Sequence, residues 1–102
     1  MRAIELNAAT WRTVHDFYDA VLAAIGAPER HGRNMNALID SMVWGGINAV
    51  VPPYTIRIRG VGVAPNEVRE AIELLKRCLA EGRAEYQTSR GRDIKVQLET
   101  IL

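Results

Sequence analysis

Cysteine is nearly missing from this chain: Cys78 stands alone, so no disulfide can form within it. No apolar run approaches the roughly 18 residues that a membrane span needs. The opening stretch MRAIELNAAT also lacks the apolar centre of a signal peptide. A reduced, cytoplasmic setting is therefore expected. Charge of one sign is not in excess either: 13 basic and 12 acidic side chains leave a net charge of +1. That balance argues against a dedicated nucleic-acid binder, which would carry a strongly basic domain. Aromatics make up only 6% of the residues, and none is interleaved with the arginines as a stacking platform.

What is present is ordinary for a globular protein: 48% apolar and 25% charged residues. The length, 102 residues, suits one domain over 1–102 with a real core. RAIEL, at 2–6, reads as a strand, and NAAT turns the chain, with Thr10 as a helix cap. Val14, Phe17, Tyr18, Val21, Leu22 and Ile25 then recur at the spacing of one buried helical stripe, which Gly26 and Pro28 end. Asn34 is the next cap. It opens a second helix from about Met35 to Trp44, stopped by Gly45 and Gly46. YTIRIR, at 54–59, is a strand that must start after Pro52 and Pro53. Pro65 suits the first turn of a third helix, whose stripe is Val68, Ile72, Leu75 and Leu79 and whose end is expected at Gly82. DIKVQLETIL closes the chain as a strand, with Ile94, Val96 and Leu98 alternating against polar residues.

Strands that alternate with helices predict an α/β fold: a small three-stranded parallel sheet with three to four helices packed on it. The alternation in the last two strands predicts one face on the core and one face partly wet.

Most candidate chemistry is better read as structure. His15 and His31 have no helix-spaced partner ligand, so no metal is expected. Cys78 lies beside an apolar stripe and reads as a small buried hydrophobe. GVGVA lacks the third glycine of a phosphate loop. Arg30, Arg33, Arg57 and Arg59 read as solvated charges offset by Glu29 and Asp40. Glu67, Glu70, Glu73 and Glu81 read as a solvated helix face. The stretch ERHGRNMNALIDSMVWGG, at 29–46, is different. Asn36, Asp40 and Trp44 are each four apart and form a row of amide, carboxylate and indole. Asp40 lies beyond mid-helix and gains nothing from the helix dipole. The row is either a plain solvent face or a binding surface with an aromatic anchor and a charge meant for a partner's cation.

At these residues the sequence resembles the barstar family, the intracellular inhibitors of barnase-type ribonucleases. The matching stretch runs Pro28, Glu29, Arg30, His31, Gly32, Arg33, Asn34, Met35, Asn36, Ala37, Leu38, Ile39, Asp40. HDFYDAVLAAIGAPE and KRCLAEGRAEYQTSRGRDIKVQLETIL resemble the family's first helix and its last helix and strand, and the likeness spans essentially the whole chain. The resemblance implies a parallel three-stranded fold, no enzymatic activity, no cofactor, and a protein partner, a ribonuclease or toxin nuclease. It also implies a monomer when free and no direct binding of nucleic acid or membrane. Asp40 matches the family's central carboxylate, Asn34 the asparagine at the helix start and Gly32 the glycine before it. The implied partner-binding residues are Arg30, His31, Gly32, Arg33, Asn34, Asn36, Ile39, Asp40, Val43, Trp44 and Arg77. The chain departs from the family where Asn36 replaces a carboxylate, Ile39 an aromatic, Arg30 and His31 a tyrosine pair and Arg77 a glutamate. Those departures motivate an alternative, a binding module on the same scaffold with a non-nuclease partner.

Overall fold

The computed structural model describes residues 2–102. Its elements follow the expected order: β1 (Arg2–Asn7), α1 (Val14–Ala24), α2 (Met35–Ile39), β2 (Tyr54–Arg59), α3 (Asn66–Arg90) and β3 (Val96–Thr100). Among the described residues no helix is long and apolar enough to cross a membrane.

The sheet is parallel throughout, with β2 between β1 and β3. Register places Ile4, Ile56 and Leu98 in one row and Glu5, Arg57 and Glu99 in the next. Because strand side chains alternate, the first kind of row meets the helices and the second faces away. Tyr54, Ile56, Ile58, Val96 and Leu98 are buried against Phe17, Val21, Ile25, Leu38, Ile72, Leu75 and Leu79. Burial pushes the Tyr54 phenol up to about 12. On the outer face, Arg57 lies between Glu5, 3.9 Å away, and Glu99, 3.2 Å away. Its Nε makes no directed hydrogen bond, so these are ion pairs of half-exposed groups and add little stability.

Helix α1 starts later than the sequence suggests. Asn7 accepts the Ala9 N–H and caps a 3-10 turn at Ala8–Thr10, and Trp11 is then buried edge-on against Phe17. The cap is Thr13 and not Thr10. Thr13 Oγ1 accepts the Asp16 N–H, and Asp16 accepts the Thr13 and Arg12 N–H groups. Those backbone donors, Arg12 foremost, hold the Asp16 carboxyl below its usual range. At its other end, Gly26 adopts φ +66 as expected. Ala49 packs there so closely that a Cβ on residue 26 would come within 2.6 Å of it.

Helix α3 does not stop at Gly82. It runs two turns further and is capped by Gly91, at φ +73, whose N–H reaches the Gln87 carbonyl. The buried stripe simply continues through Gly82 to Tyr86. Gly82 is there for packing: a Cβ at that position would lie 3.1 Å from Val43 Cγ2 and 3.2 Å from Ile39 Cγ2. Pro65 is the residue before the helix, in extended backbone, and not within its first turn.

Strand β3 is also shorter than read, because Lys95 sits at φ +57 and separates Ile94 from the strand. Asp93 holds this corner. Its carboxylate accepts both forks of Arg83 at 2.6 Å and the Lys95 N–H at 2.9 Å. Arg83, and then the Lys95 amide, draw the Asp93 carboxyl down to about 2. A carboxyl depressed in the fold contributes stability above its unfolded value of about 3.9, and loses it as pH falls through the folded value. Asp93→Asn is therefore expected to flatten the loss of urea resistance between about pH 4 and about pH 2, while the wild-type midpoint drops across that window. Gly82→Val is expected to lower the unfolding free energy by about 1–3 kcal/mol, read as a lower urea midpoint, because the added carbons overpack the seam with Val43 and Ile39.

Candidate functional site

The segment 29–46 is built from its local capping outward. Asn34 Oδ1 accepts the Ala37 N–H at 2.8 Å and starts α2, as the sequence suggests. The α-helix lasts only five residues. From Asp40 to Trp44 it widens into a π-helical turn, and the Gly45 N–H closes it on the Asp40 carbonyl at 3.1 Å. Such turns displace side chains from the ordinary helical spiral and recur at functional sites.

Despite the widening, Asn36, Asp40 and Trp44 share one wall of a groove of about 280 Å³. Met35 and Ile39 belong to the same wall, and α3 forms the other side with Cys78, Glu81, Gly82 and Glu85. Asp40 is exposed, and among the described residues no side chain or backbone group bonds or ion-pairs with its carboxylate. Glu81 and Glu85 are likewise exposed and without an ion pair among the described residues. Three carboxylates thus line one concavity together with the apolar side chains of Met35 and Ile39. Trp44, 37% exposed, rests against Tyr86 with ring centroids 5.1 Å apart. The Arg90 guanidinium covers both rings, 5.6 Å from Trp44 and 5.9 Å from Tyr86. Arg92 donates to the Tyr86 hydroxyl at 3.1 Å. The indole is thus propped by Tyr86 and Arg90 while part of it stays exposed.

The remaining expected residues divide. Arg30 and Gly32 are exposed in the loop, and Ile39 is half-buried in the groove wall. Arg33 is exposed but engaged: its Nε and Nη2 both lie 2.8 Å from Asp19 Oδ1, and Asp19 also meets His15. Val43 is a correction. It is 1% exposed and packs under Gly82, so it supports the site from within. His31 is another, at 7% exposure, with Nδ1 on the Gly32 carbonyl and Nε2 on Ser41 Oγ. Arg77 is exposed on α3 and does not line the groove. Cys78, expected as a small buried hydrophobe, is half-buried and lines the groove.

Two groove residues were not expected as site residues: Glu81 reads from the sequence as part of a solvated helix face, and Glu85 lies beyond the helix end expected at Gly82. Tyr86, four residues beyond Gly82, and the good helix formers around it carry the signal for continuation. A larger concavity of about 440 Å³ lies between α3 and β3, and Arg83, Asp93 and Gln97 in its lining are already joined to one another. Among the described residues no three His, Cys, Asp or Glu side chains converge on a metal-sized position.

A family model described as Barstar (barnase inhibitor) matches residues 1–99. No curated protein matches the chain in a sequence search.

The propping of the indole has an observable consequence. In Tyr86→Ala, Trp44 fluorescence is expected to shift to the red and to quench more readily with acrylamide. Trp11, 7% exposed, stays protected and serves as the internal control.

Proposed function

The chain belongs to the barstar family, and from that membership and the groove's chemistry we propose that it is a protein inhibitor of a ribonuclease or toxin nuclease. It acts in the cytoplasm as a single domain, a monomer when free, and forms a one-to-one complex. It catalyses nothing and needs no cofactor, because it works by occupying the partner's active site with the edge at 29–46. The observation that carries this reading is the exposed, unpaired Asp40 carboxylate, set on a capped helix between Asn36 and Trp44.

A ribonuclease cleft must hold a phosphodiester, so it presents Lys, Arg and His side chains. A carboxylate on a rigid helix satisfies the same donors that would meet the scissile phosphate. Rigidity matters because each side chain ordered only on association subtracts from affinity. Here Asn34 caps the helix, the π-turn is closed by Gly45, and the indole is already held against Tyr86. Glu81 and Glu85 add negative charge to the groove that Asn36 and Arg77 do not supply. Trp44 offers a flat apolar surface suited to a cleft that otherwise receives a nucleobase.

The basic groups at Arg30 and Arg77 favour a second reading. The same scaffold would then hold a regulatory partner that is not a nuclease. Capture of a one-to-one partner without nuclease activity, together with no inhibition of any barnase-type enzyme, would support it.

In the first reading, purified chain inhibits a barnase-type ribonuclease and co-elutes with it. Asp40→Ala weakens that complex roughly ten- to hundredfold. The pair Glu81→Gln and Glu85→Gln weakens it less, mainly through slower association that added salt also produces. Isothermal titration and stopped-flow mixing measure both. Unchanged inhibition by Asp40→Ala would remove this edge as the binding site.

A further inference from the structure

Resting on the inhibitory reading, we propose that His31 and Ser41 are positioning residues: a buried imidazole–hydroxyl latch that holds the loop at 29–33 in a set relation to Asp40. Both side chains are shielded, at 7% and 6% exposure. The ring joins two segments ten residues apart, with Nδ1 2.8 Å from the Gly32 carbonyl and Nε2 2.7 Å from Ser41 Oγ.

The proton on Nδ1 follows from what its partner can do. A carbonyl only accepts, so Nδ1 carries the hydrogen and donates it to Gly32. Nε2 faces the Ser41 hydroxyl, a group able both to donate to it and to accept from it. The Leu38 carbonyl, 3.2 Å from Ser41 Oγ, is that hydroxyl's other possible acceptor and the more distant one. With both nitrogens engaged and almost no exposed surface, His31 has nothing left to offer a partner.

What it can do is fix geometry. Ser41 directly follows Asp40 in the π-turn, so anchoring its side chain fixes the backbone from which the carboxylate projects. Gly32 belongs to the loop that carries the exposed Arg30 and Arg33, so anchoring its carbonyl fixes the other presenting segment. Gly32 also sits tight on the helix start, since a Cβ there would lie 2.9 Å from Asn34 Nδ2. On its outer side the same loop is tied through Arg33 to Asp19 of α1. The loop is thus held from inside by a buried imidazole–hydroxyl pair and from outside by an exposed ion pair. The buried pair is the stronger constraint, because leaving either member without its partner strands a polar atom away from water.

The first test needs no variant. Long-range proton–nitrogen NMR of the wild-type chain should find Nδ1 of the His31 ring protonated. Ser41→Ala, a small and helix-compatible change, should then speed amide exchange at Gly32 and Arg33 about tenfold, with β2 and the middle of α3 unchanged. In complex with a barnase-type ribonuclease, Ser41→Ala and His31→Ala should each raise the dissociation rate about tenfold, and the double variant should match the singles. A ring bare at Nδ1, loop exchange that Ser41→Ala leaves unchanged, or effects of the two variants that simply add would each overturn the latch. A lowered melting temperature with an unchanged dissociation rate would also overturn it, since that is what a purely structural pair would give. If Asp40→Ala fails to weaken the nuclease complex, the inhibitory reading falls by itself, and Nδ1 protonation and loop exchange still decide whether the latch exists.

Discussion

The close approach of α3 to the segment after α2 governs the shape of this protein, and it depends on a missing side chain. At Gly82 any Cβ would press on Val43 and Ile39 at little more than 3 Å. With hydrogen there instead, the two helical segments touch along a seam, and the groove opens directly above it. The residues on either side of Gly82 along α3 then stand opposite Asp40: Glu81 before it and Glu85 one turn after. One packing requirement therefore sets both the depth of the groove and its charge. A glycine in mid-helix costs about 1 kcal/mol in propensity. The buried Val43, Leu79 and Tyr86 around the seam offset that cost.

The π-turn extends the same logic. An α-helix carried on to residue 44 would keep the indole on the ordinary spiral. Widening by one residue per turn moves it, and here it meets Tyr86, which only exists as a buried residue because α3 continues past Gly82. The aromatic pair and Arg90 then close the far end of the groove. Helix extension, π-turn and glycine seam are thus one arrangement.

Much of the fold was legible in the residues. Period-two alternation in YTIRIR and VQLET, and the stripes of α1 and α3, are local patterns that burial enforces, and the parallel sheet follows from their order. Asn34 and Gly26 were readable because capping is local chemistry. The errors arose where a tertiary contact overrides a local signal. Gly82 looks like a helix end only if its partner Val43 is unseen. Thr10 looks like a cap until Trp11 must be buried beside Phe17. Ile94 looks like strand until Asp93 turns the chain onto Arg83. At the candidate site, the row of Asn36, Asp40 and Trp44 could be read from spacing. The inward turn of His31 and Val43 could not, because exposure in a loop or a π-turn has no simple period.

Net charge would also mislead if taken as a guide to the groove. At +1 the chain has almost no overall field, yet its charges are not evenly used. Arg33 is taken up by Asp19, Arg57 by Glu5 and Glu99, and Arg83 by Asp93. Each pairing removes one or more carboxylates from the outer sheet face, from α1 or from the β3 corner, and none of them touches the groove. Among the described residues, Asp40, Glu81 and Glu85 are the carboxylates left without an ion pair around a single concavity, with Arg90 stacked over the aromatic pair at its end. Screening in water limits an exposed charge to about 8 Å at physiological ionic strength. A partner's cation arriving at the groove therefore responds to these carboxylates and hardly to the distant sum. Local sign, set by which ions the fold has already paired, decides what this surface attracts.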